Sequence, residues 1–169
     1  PYAIYIEKDE GEVVGINGVL QGHHAYVEVT GDFGTDSLIW GFDFLIAYDA
    51  SALTFIQAIK SDMFLPALVD EWEYFTYRFG PYGNCGNACP SGLLRVVGLA
   101  DQNDGPHHPT NKLLGFDRLL FTLDFLVSND RTLECQFVPI RFYWMDCGDN
   151  TIAFHKASDA DPLDIKTAV

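Results

Sequence analysis

The residues best suited to chemistry in this chain are short oxygen-bearing side chains gathered beside glycine. Asp101, Asn103 and Asp104 precede Gly105, and Asp146, Asp149 and Asn150 surround Gly148. Calcium takes six to eight oxygen ligands from carboxylates, carboxamides and carbonyls, so each run is a candidate calcium loop. The first is not an EF-hand, because its twelfth position is Lys112 rather than glutamate. The same composition also caps ordinary turns, and both readings stay open. Two histidine pairs, His23-His24 and His107-His108, are weaker candidates. Neighbours on a strand point to opposite faces, so His23 and His24 do not readily share a metal. His107 and His108, set between Pro106 and Pro109, read as solvated loop residues.

Four cysteines suit an oxidising compartment. Cys85 and Cys89 span at most ~14 Å of chain, and a local bridge between them is the expected disulfide. Cys135 and Cys147 sit at opposite ends of one predicted strand, up to ~40 Å apart if it is straight. Pairing them requires a bend near Pro139, since a disulfide holds its Cα atoms within ~7 Å, and their state stays open.

No Gly-x-Ser-x-Gly, His-Glu-x-x-His, Walker or dinucleotide motif is present, and the chain is expected not to be an enzyme. The formal charge of −14 excludes nucleic-acid binding, which needs cations against phosphates, and disfavours anionic membranes. No apolar run reaches the ~20 residues of a membrane helix. A secreted or cell-surface protein fits this charge, and the start at Pro1 reads as that of a mature or excised domain.

The elements that must hold these residues are strands. At 169 residues, residues 1–169 form one domain, long enough to bury roughly two thirds of its unfolded surface. Period-two rows recur: Ala25, Val27, Val29; Phe42, Phe44, Ile46, Tyr48; and Leu119, Phe121, Leu123, Phe125, Val127. Further strands are expected over 2–7, 52–59, 72–79, 93–100, 138–144 and 162–169, with a strand or hairpin near Glu12 and a turn at Asn17-Gly18. The apolar stretch 93–100 reads as central in its sheet. One short helix is expected over 66–71, with Pro66 in its first turn. The sum is about nine strands in two antiparallel sheets.

In Phe44-Leu-Ile-Ala-Tyr48-Asp49-Ala-Ser-Ala-Leu53, a strand ends in Tyr-Asp and a short Asp-Ala-Ser turn leads into a second apolar run. This stretch resembles cohesin domains, bacterial modules that dock calcium-binding dockerin modules. The order of elements along the chain follows the same plan, and the resemblance implies a nine-stranded jelly-roll sandwich. The cysteine-bearing loop 83–90 and the segment 12–17 depart from that pattern.

If Phe42, Phe44, Ile46 and Tyr48 face the core, Asp43, Leu45 and Ala47 face out. With Glu73, Phe75 and Tyr77, or their alternates, from a neighbouring strand, they form the expected partner-binding surface. The expected function is non-catalytic docking of another protein, or of copies of the chain itself through a sheet face or edge strand, in an extracellular assembly. The alternative is a carbohydrate-binding module that stacks exposed aromatics on sugar rings.

Overall fold

The computed structural model describes residues 3–8, 13–14, 18–34, 37–61, 72–80, 89–100, 118–156 and 166–168. Its architecture is the expected all-β jelly-roll sandwich of two antiparallel sheets. The strands are β1 (Ala3–Lys8), β2 (Val13–Val14), β3 (Gly18–Val19), β4 (His24–Asp32), β5 (Ser37–Tyr48), β6 (Leu53–Lys60), β7 (Tyr74–Phe79), β8 (Gly92–Leu99), β9 (Arg118–Val127), β10 (Arg141–Phe142), β11 (Thr151–Lys156) and β12 (Lys166–Ala168). One sheet runs β1-β4-β9-β6 and the other β12-β11-β5-β8-β7, with β10 also paired to β5. The hairpin β2-β3 stands apart from both. Of the expected Asn17-Gly18 turn, Gly18 pairs with Val14 inside this hairpin, and Asn17 lies outside the described residues.

The core lies where the period-two rows of the two sheets meet. Phe42, Phe44, Ile46 and Tyr48 of β5 are buried against Phe121, Leu123 and Phe125 of β9. Ring centroids stand 5.7 Å apart for Phe42 and Phe121, and 5.1 Å for Tyr48 and Phe125, the range of favourable aromatic pairs. Glycines on β8 make room for these rings. A Cβ on Gly98 would meet the Phe42 ring at 2.5 Å, and one on Gly92 the Tyr48 ring at the same distance.

The turn after Tyr48 forms as its residues dictate, but it does not make a hairpin. Asp49 Oδ1 accepts from the Ser51 N–H (2.9 Å) and hydroxyl (2.7 Å), and the Asp49 carbonyl accepts from Ala52 and Leu53. β5 then pairs with β8, whereas β6 pairs with β9, so the turn carries the chain from one sheet to the other. The Ser51 hydroxyl and N–H, with Ser91 adding a further bond, hold the Asp49 carboxyl below its ordinary 3.8. A carboxyl lowered on folding contributes stability that is present above its unfolded value and is lost as pH falls through the lower folded one. Replacing Asp49 with Asn is therefore expected to shrink the loss of stability between about pH 5 and pH 3 in urea titrations. An undiminished acid loss would sever the turn from that effect.

The last third of the chain departs most from expectation. The predicted strand 138–144 is paired only over β10, because Pro139 offers no N–H to a ladder. Val138, Ile140 and Phe142 still pack on the core, while Trp144 is exposed. The strand that lines β5 is instead β11, which sequence reading did not isolate. The helix expected over 66–71 lies outside the described residues; within them, the one helical element is the 3-10 turn Arg131–Leu133. No described helix is long and apolar enough to cross a membrane.

Candidate functional site

The outer face of the larger sheet carries a connected set of polar side chains, Asp43, Arg95, Asp149 and Asn150. On β5 it presents Asp43, Leu45 and Ala47, on β8 Leu93, Arg95, Val97 and Leu99, and on β7 Tyr74, Thr76 and Arg78. Arg95 grips Asp43 with two bonds, Nε to Oδ1 at 2.8 Å and Nη2 to Oδ2 at 2.7 Å. Its Nη1 reaches Asp149 Oδ1 at 3.5 Å. The Asp43 contact, opposed in part by burial, raises the guanidinium further above its ordinary value. Both partners of this pair are partly open to solvent, so its main effect is to fix the side chains in the plane of the sheet.

Leu45 and Ala47 are not exposed as expected; each is 2% exposed and packs with Leu93 under Tyr143. The chain after β10 folds back over them, and one side chain pins it there. β10 pairs with Ala47 and Ile46, and β11 with Asp43 and the residues before it, which leaves Leu45 in the gap between two partners. The Tyr143 N–H donates to the Leu45 carbonyl (2.9 Å). Asn150 Oδ1 accepts from the Leu45 N–H (2.8 Å), and Asn150 Nδ2 donates to the Tyr143 carbonyl (2.8 Å). The Asn150 side chain thus supplies the rung that the ladder lacks.

The structure brings together Asp146, Asp149 and Asn150, the residues expected as a calcium loop, and gives them other tasks. Asp149 Oδ2 accepts from the N–H groups of Met145 (2.8 Å) and Asp146 (3.1 Å), and its Oδ1 faces Arg95. Asp146 Oδ1 accepts from the Gly148 N–H at 2.7 Å. A guanidinium thus stands against one Asp149 oxygen, and both ends of the Asn150 side chain are engaged by backbone groups. Asp101, Asn103, Asp104, His107 and His108 lie outside the described residues.

Phe75 and Tyr77 were expected outside and point inward. Phe75 meets Phe121 (6.1 Å between centroids) and Tyr77 meets Phe55 (5.6 Å). Their alternates Tyr74, Thr76 and Arg78 take the outer positions, while Glu73 precedes β7 and donates its N–H to the Ala100 carbonyl. Beside them Leu99 is 38% exposed and lies across Gly41, where a Cβ would meet it at 2.8 Å. The expected Cys85–Cys89 bridge falls on Cys85, which lies outside the described residues, and Cys135 and Cys147 are free and exposed.

Sequence reading missed one polar pair on the smaller sheet. His24 Nδ1 donates to Asp124 Oδ1 at 2.6 Å in the tautomer that protonates Nδ1, and Gln57 Nε2 reaches Asp124 Oδ2 at 3.4 Å. Asp124 breaks the apolar character of β9 at an outward position, and that was its one visible signal.

No protein-family profile matches this chain, and no curated protein does. Solved structures do. A type I cohesin–dockerin complex from Clostridium thermocellum matches over 90% of this chain and 86% of its own, with 21% identity and a TM-score of 0.54. The sixth cohesin of scaffoldin B from Acetivibrio cellulolyticus, solved in complex with a dockerin, matches over 92% and 86%, with 15% identity and a TM-score of 0.54. The second type II cohesin module of an adaptor scaffoldin from the same organism matches over 89% and 84%, with 11% identity and a TM-score of 0.55. The chain has the fold of cohesin modules.

Proposed function

We propose that this chain is a non-catalytic module that docks another protein on the outer face of its larger sheet, as part of an extracellular or cell-surface assembly. The observation that carries this reading is the strip formed by β8 and β7. Val97 and Leu99 stand beside Tyr74 and Thr76, partly open on an ordered sheet, with the Asp43–Arg95 pair as a fixed polar border. An apolar centre with a polar, hydrogen-bonded edge is the anatomy of a protein interface. The fold likeness supports it, since two of the matched structures hold a cohesin with a dockerin.

Calorimetry against a panel of dockerin modules, with capture from the source organism's culture medium, tests this reading. Placing a charge at the centre of the strip, as Leu99→Asp, is expected to weaken binding about 30-fold or more. Tyr5→Asp, on the outer face of the smaller sheet, is expected to leave it unchanged. Equal losses from the two variants would place the interface elsewhere.

A further inference from the structure

On the docking face of this acidic chain, one arginine has no counterion among the described residues. Of ten Lys and Arg residues in a chain of formal charge −14, three belong here: Arg78, Arg95 and Arg141. Arg95 is answered by Asp43 and Asp149. Arg141 stacks on the Tyr143 ring, 5.4 Å from its centroid. Arg78 has no ion pair or hydrogen bond among the described residues, is exposed, and stands directly across from Arg95 in the β7–β8 ladder. Like charges placed opposite each other on one face destabilise a sheet. Asp43 and Asp149 answer the Arg95 side of this pair, whereas no described carboxylate answers Arg78, which leaves that place for a ligand carboxylate.

Resting on the docking reading above, we infer that the partner presents an aspartate or glutamate to Arg78, next to apolar residues that cover Val97 and Leu99. The row Tyr74, Thr76, Arg78 along β7 lines up a phenol, a hydroxyl and a guanidinium at intervals of about 6.7 Å, two residues of strand rise. A guanidinium fork takes a carboxylate with two parallel bonds and so sets the partner's register as well as its affinity. The charge of the whole chain narrows the occupant further. A polyanion such as a sulfated glycan is repelled by the remaining acidic surface, while a protein segment with one or two local carboxylates meets Arg78 within the ~8 Å over which charges act unscreened in physiological salt.

The test is selection of a displayed random peptide library on the immobilised chain, followed by calorimetry of the best selected peptide. Wild type is expected to select peptides with Asp or Glu beside apolar residues. Arg78→Ala is expected to weaken the chosen peptide about tenfold or more, and Arg78→Glu to select Lys- and Arg-bearing peptides instead. Peptides lost with Leu99→Asp yet indifferent to Arg78→Ala would keep the docking face and overturn the acidic partner. Peptides indifferent to both variants, or no selection at all, would overturn both readings. Arg78-dependent binding of a heparin oligosaccharide without peptide selection, or Arg78-dependent dimers in sedimentation, would overturn it in favour of a glycan or a second copy.

Discussion

Replacing Phe121 with alanine is expected to cost about 4 kcal/mol of folding stability, the middle of the range for truncating a buried Phe. Its side chain is fully buried in the centre of β9. Its ring lies 5.7 Å from that of Phe42, 6.4 Å from Phe44 and 6.1 Å from Phe75, so it ties the smaller sheet to two strands of the larger one. Removing it opens a cavity between layers whose partners are themselves aromatic and cannot collapse into the space. For a chain of this length the loss corresponds to a fall in melting temperature of roughly 8–16 °C, read by calorimetry beside urea denaturation. Leu119→Ala is the internal control. It lies two residues earlier on the same strand and is 36% exposed, so its truncation is expected to cost under about 1 kcal/mol. Similar losses from both variants would mean that the sheets do not meet where these rings place them.

That contrast also shows how far period two carries. The rows Phe42 to Tyr48 and Phe121 to Phe125 were legible because each strand turns one face to the core. At the start of β9 the rule breaks: the register shifts between Val29 and Thr30, Leu120 is fully buried, and Leu119 is left outside. A bulge is a decision of two strands, and one strand's sequence does not show it. On β7 both rows carry aromatics, so alternation alone could not say that Phe75 and Tyr77, rather than Tyr74, face the core. On β5 the outward row was read correctly as a row but wrongly as exposed, because what covers Leu45 and Ala47 is a folded-back loop with no periodicity. The Asp/Asn/Gly composition of that loop was visible. Its use as a plug for a gap in a ladder depends on where β10 stops and β11 starts. The outer row of the larger sheet on β7 is thus Tyr74, Thr76 and Arg78, the strand neighbours of Glu73, Phe75 and Tyr77.

The plug itself gives the second large effect. Asn150→Ala is expected to lower stability by about 3 kcal/mol, from two sources that can be separated. The buried Leu45 N–H loses its acceptor, and an orphaned buried donor costs about 1–3 kcal/mol. Asn150 also has φ of 58°, a left-handed conformation that asparagine tolerates and alanine resists by about 1 kcal/mol. Asn150→Gly keeps that backbone free of strain while losing the same two hydrogen bonds, so its loss is expected to be smaller, about 2 kcal/mol. The local consequence is more diagnostic than the total. Without the plug, the segment from Tyr143 to Asn150 is held to β5 chiefly by the Tyr143 N–H bond to the Leu45 carbonyl, and the Leu45 amide opens to water. Hydrogen exchange followed by NMR is expected to show Leu45 losing protection in both variants while the Phe121 amide, deep in the other sheet, falls only with global stability. If Leu45 stays as protected as Phe121, the loop is not what closes the gap beside β5, and the covered state of Leu45 and Ala47 has another cause.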